Sequence, residues 1–143
     1  MDQSTPLRRR SSWFSSGARG AGKVSFLARA VLENGRDLVA QGWTQGAYAR
    51  DRAGEPVHPW NAQARAWSVL GAIVCGDETH QGRVPIGMLA YAVMAVGDVL
   101  DTASLDGWND MPGRTQADAL AAFDAAIASV AERPESQVRR SSA

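Results

Sequence analysis

From Lys23 onward, apolar residues recur at helical spacing. Val24, Leu27, Val31, Leu38 and Val39 share one face, and Glu33, Arg36 and Asp37 fall on the opposite one. The spacing predicts a first helix closed by Gly42, with Gly35 inside it at a cost of about 1 kcal/mol relative to alanine. A second helix is predicted over 62–75, with Asn61 as its N-cap, Gly71 leaving room for a neighbour and Gly76 as its stop. The third runs from Pro85 to Ala103. Ile86, Leu89, Val93, Val96 and Leu100 form one stripe there, and Met88, Tyr91, Ala92, Ala95 and Val99 form a second. A helix apolar nearly all round belongs in the middle of a fold, so this one is predicted to be central, with Asp98 and Asp101 on its wet side. A fourth helix opens with Thr115 and Asp118 at capping-box spacing. It buries Leu120, Phe123, Ile127 and Val130 and stops at Arg133-Pro134.

Between the first two helices the pattern changes. Asp51-Arg52-Ala53-Gly54 reads as a type I turn with glycine in the left-handed position, joining a strand from Trp43–Arg50 to one at Glu55–Val57. The polar stretches 76–84 and 106–114 read as loops. The fold class is therefore mainly α: about four helices around a central apolar helix, with one short β-hairpin between helices 1 and 2. Residues 1–22, rich in Ser, Arg and Gly, read as a disordered leader. Residues 23–132 read as a single helical domain, and 133–143 as a flexible basic tail.

Charge sharpens this division. The net charge is zero, yet 1–23 carry five basic side chains against one acidic, 133–143 carry three against one, and 24–132 carry seven against thirteen. An acidic body between basic ends is a poor nucleic-acid surface, leaving at most weak, salt-sensitive contacts through residues 1–22. Cys75 is the single cysteine, so no internal disulfide forms. No apolar run approaches the ~18 residues that span a bilayer, and the stretch after Arg8-Arg9-Arg10 is too polar for a signal peptide. These features predict a soluble, cytoplasmic protein with no membrane association.

Three islands stand out: Gly42-Trp43-Thr44-Gln45-Gly46-Ala47 with Ala49-Arg50-Asp51 and Gly54; Trp67-Ser68-Val69-Leu70-Gly71-Ala72; and Trp108-Asn109-Asp110-Met111-Pro112-Gly113-Arg114-Thr115. Together they resemble a bacterial domain-of-unknown-function family, number 6197, over about 24–132. The resemblance implies an architecture and no activity. In that family the position after the middle-island tryptophan is often cysteine. Here it is Ser68, which puts any thiol role at that site in doubt.

Candidate chemistry is sparse. Gly17–Val24 nearly spells a phosphate-binding loop, but Val24 stands where the motif needs Ser or Thr and no strand precedes it. Cys75, Asp77, Glu78 and His80 are close in sequence but lack the paired spacing of a zinc site, so no metal and no cofactor is predicted. Asp51 and Asp110 are the carboxylates to watch, each with a turn-forming role as its simpler explanation. No nucleophile–base set assembles and no catalytic residue is assigned, so the balance is against an enzyme.

The remaining candidate is a loop surface formed by Trp43, Gln45, Arg50, Asp51, Trp67, Trp108, Asn109 and Asp110. The leading reading is a non-catalytic binding or regulatory module that recognises another protein. A small enzyme or small-molecule-binding domain using the Trp/Arg/Asp loops is the alternative, and weak nucleic-acid association through the arginine-rich tails is the third.

Overall fold

A computed structural model of the chain describes residues 17–78 and 86–131. The order of elements is α1 (Gly17–Gln41), β1 (Ala49–Asp51), β2 (Ala64–Trp67), α2 (Val69–Glu78), α3 (Ile86–Leu100), α4 (Leu105–Asn109) and α5 (Gln116–Ala131). The fold is mainly α, four substantial helices and one short one, with a two-stranded antiparallel sheet between α1 and α2. No helix among the described residues is long and apolar enough to cross a membrane. Residues 1–16, 79–85 and 132–143 lie outside the described residues, and with them most of the expected leader, the tail, His80 and the Arg133-Pro134 stop. α1 starts at Gly17, ahead of the expected Lys23, so the glycine-rich stretch that imitates a phosphate loop is helical backbone.

The central helix is α1. It packs against α2, α3, α5 and β2, burying Ala28, Val31, Leu32 and Val39 completely. This corrects the expectation that Ile86–Leu100 is the middle rod. α3 buries Met88, Ala92, Ala95 and Val96 but leaves Met94 65% exposed and Val99 37% exposed. Its uniform apolarity gave no information about which face is covered. Which helix is central follows from length and neighbours, and α1, at 25 residues, offers the longest surface. Phe123 of α5, the largest fully buried side chain, completes the core.

The turn at Asp51–Gly54 forms as its residues predict. The Gly54 N–H bonds to the Asp51 carbonyl at 2.9 Å, Asp51 Oδ1 accepts the Glu55 N–H at 2.9 Å, and Gly54 has φ +87°. The paired strand, however, lies further on. Beyond a single bridge from Arg50 to Pro56, β1 pairs with Ala64–Trp67 in the register Ala49–Trp67, Arg50–Ala66, Asp51–Ala64. The second helix therefore begins at Val69 rather than residue 62. Ala-Arg-Ala-Trp carries no strong local preference, and its conformation is fixed by β1 on one side and by Gly42–Thr44 on the other. There Trp67 N–H reaches the Gly42 carbonyl at 3.0 Å and Thr44 N–H reaches the Trp67 carbonyl at 3.2 Å.

Asn61 closes a turn instead of capping a helix, accepting the Gln63 N–H at 2.7 Å. Ser68 is the real cap of α2: its Oγ accepts the Gly71 N–H at 3.0 Å and its carbonyl accepts the Ala72 N–H at 2.8 Å. Nor does Gly76 stop α2, which continues to Glu78. At α5 the capping box is present in both directions, Thr115 N–H to Asp118 Oδ2 at 3.0 Å and Asp118 N–H to Thr115 Oγ1 at 3.1 Å. The stretch read as a loop at 106–114 contains α4, capped by Ser104, whose Oγ accepts the Gly107 N–H.

Candidate functional site

The short α4 brings the third island against the first two. At its C-terminal end Asn109 is fully buried, and all its hydrogen-bonding capacity is used. Its Oδ1 accepts the Trp43 indole N–H at 2.9 Å and the Val69 backbone N–H at 3.0 Å. Its Nδ2 donates to the Thr44 carbonyl at 3.0 Å and to Asp110 Oδ1 at 3.0 Å. One amide thus ties the loop after α1, the start of α2 and the loop after α4. Inside a protein an unmatched polar group costs about 1–3 kcal/mol, so this four-fold match holds the segments in one register.

The neighbouring polar groups extend the same network. Gln45 Nε2 donates to the Asn109 and Met111 carbonyls, both at 3.0 Å, and the Gly46 N–H donates to Asp110 Oδ1 at 3.0 Å. Arg50 bonds Thr44 Oγ1 at 2.9 Å, the Gln45 carbonyl at 3.1 Å and the Gly54 carbonyl at 2.9 Å. Arg114 donates to the Trp108 carbonyl at 2.8 Å and lays its guanidinium 3.9 Å from the centre of the Trp108 ring. Trp67 is buried, and its indole N–H reaches the Pro59 carbonyl at 2.7 Å.

Of the eight residues expected to form one loop surface, Trp43, Gln45, Asn109 and Asp110 meet directly and Arg50 joins through Thr44 and Gln45. Trp67 lies beside them through the backbone pairing with Gly42–Thr44. Trp108 borders the cluster under Arg114, while Asp51 stands apart, holding its own turn. Gly71 is what lets the second island seat. A Cβ there would lie 2.0 Å from the Tyr48 carbonyl oxygen, which accepts the Ser68 N–H at 3.1 Å.

A model of a family of unknown function, DUF6197, matches residues 26–129. The chain belongs to that family. No curated protein and no solved structure matches the chain. All three islands fall inside the DUF6197 match, and Asn109 joins them.

Residues outside the eight expected of the loop surface line the openings nearby. Gly46, Ala47, Tyr48, Val57, His58 and Pro59 border a shallow cleft of about 420 Å³. Tyr48 is 51% exposed, as is Trp60 to a similar extent (52%), stacked on His58 at 5.5 Å. The Tyr48 hydroxyl donates to Asp106 Oδ2 at 3.3 Å, and the negative charge of Asp106 raises the phenol above its ordinary pKa. Asp106 itself borders a second, larger cleft at the end of α3. The signal for these residues was available only as aromatic side chains in a proline-bearing loop and as carboxylates three apart at a helix end.

Proposed function

We propose that the protein is a non-catalytic binding module of the bacterial cytoplasm that recognises another protein through the loop end of its fold. One observation carries this reading. The polar groups of the family islands are turned onto one another, while Tyr48, Trp60 and Met111 stand at least half exposed on the same loops. Tyrosine and tryptophan held on a rigid frame give large contact area at little entropic cost, which is why they dominate interface hot spots. Trp43, Gln45, Arg50, Asn109 and Asp110 then act as the frame, and the Tyr48–His58–Trp60 cleft as the contact.

Native purification with mass spectrometry tests this. A protein should be retained by the natural chain and lost from a Tyr48→Ala, Trp60→Ala variant whose melting temperature is unchanged. Recovery of a small molecule instead, held equally by that variant, would favour the rival in which Trp43, Gln45, Arg50, Asp51, Trp67, Trp108, Asn109 and Asp110 surround a ligand.

A further inference from the structure

Among the described residues, no basic side chain compensates the end of α3. Asp101 adopts the left-handed conformation (φ 54°), and the Thr102 N–H reaches back to the Gly97 carbonyl at 3.0 Å, the closure usually made with glycine. A helix C-terminus carries about half a negative charge and favours cations. The last turn of α3 holds no basic residue; Asp98 lies in it and Asp101 directly after it. Asp106, in the first turn of α4, borders the same opening, a cleft of about 650 Å³. Its apolar lining includes Leu70, Val93 and the 65% exposed Met94, and no basic side chain among the described residues lines it. Asp106 accepts from Tyr48, whereas the Asp98 and Asp101 carboxylates have no hydrogen-bond or ion-pair partner among the described residues.

We propose that this cleft receives a basic segment of a partner protein, with Arg or Lys heads on Asp98 and Asp101 and their aliphatic stems over Leu70, Val93 and Met94. The inference rests on the binding-module reading and gives the partner its chemistry. Tyr48 makes the two surfaces continuous, since it lines the loop cleft and bonds the Asp106 that lines this one. The carboxylates are spread along the opening and not gathered: no group of three or more His, Cys, Asp or Glu among the described residues is placed to hold a metal ion. An anionic surface also repels nucleic acid and acidic lipid. Long cationic side chains match both features of the cleft, because they bury an apolar stem while presenting a charge.

Fluorescence anisotropy with a labelled peptide of alternating arginine and leucine, titrated with the full chain, tests the proposal. Saturable binding is expected. It should weaken as salt rises from about 50 to about 200 mM, which screens exposed charge pairs, and at least tenfold in an Asp98→Asn, Asp101→Asn variant. That variant should melt at or above the natural chain, since neutralising carboxylates at a helix C-terminus relieves repulsion, so lost binding is not lost folding. Met94→Ala, at an exposed position, should weaken binding about threefold. Absence of saturable binding, equal binding by the asparagine variant, equal binding of a peptide with glutamate in place of arginine, or equally effective displacement by spermine would each overturn the proposal. Partner retention that depends on Tyr48 and Trp60 but ignores Asp98 and Asp101 would remove the cleft while leaving the binding-module reading standing.

Discussion

The two ends of helix α4 treat polar side chains in opposite ways. At its C-terminal end Asn109 is buried and every donor and acceptor is matched; at its N-terminal end Asp106 faces an open cleft beside Asp98 and Asp101. The difference between them is not residue type, for both ends carry small polar side chains. It is how far hydrogen-bonding capacity is filled from within the fold, by four bonds at Asn109 and by the Tyr48 hydroxyl at Asp106. A matched buried amide specifies structure, whereas Asp98 and Asp101, exposed at the negative end of α3, lower stability.

Asn109→Ala tests this contrast most severely. It leaves the Trp43 indole N–H, the Val69 N–H and the Thr44 carbonyl without their partner, and at about 1–3 kcal/mol for each buried group the expected loss is about 3 kcal/mol or more in urea denaturation. A loss below about 1 kcal/mol would break the comparison. Gly71→Ala should come next, at about 2 kcal/mol, because its Cβ would meet backbone and not a movable side chain. Ser68→Ala removes the cap of α2 and should lower stability by about 1 kcal/mol in the same assay.

The smallest effect belongs to the open end. Asp106 raises the Tyr48 phenol, so the contact favours the folded state below the ordinary phenol pKa of about 10. That benefit disappears as pH rises through the higher folded value. Ultraviolet titration should show a late-ionising phenol that is absent in Tyr48→Phe and returns toward its ordinary value in Asp106→Asn.

How far the sequence reveals this depends on how local each cause is. The capping box at Thr115 and Asp118 and the turn at Asp51–Gly54 are readable because the atoms that make them lie within four residues. The sequence pattern predicts helix over Ala64–Trp67, whereas its strand conformation comes from Gly42–Thr44 and Ala49–Asp51, distant in the chain. The rank of α1 over α3 was also hidden, since apolar content does not say how many neighbours a helix has. Among candidate site residues, the three islands are visible in the sequence as separate segments, but their meeting is not, because it is made by side-chain bonds between residues 40 to 66 positions apart. Nor is the role of Asn109: a lone asparagine in a loop-like stretch looks the same whether it is buried with four partners or waiting for a ligand.

Hydrogen exchange at the Trp43 indole, the Gly46 amide and the Val69 amide tests most directly whether one buried side chain locks the three family segments together. The three should open with a common free energy in the natural chain and lose protection together in Asn109→Ala. A Trp43 indole that exchanges rapidly while Val69 stays protected, or a loss in the variant confined to residues 108–111, would contradict it.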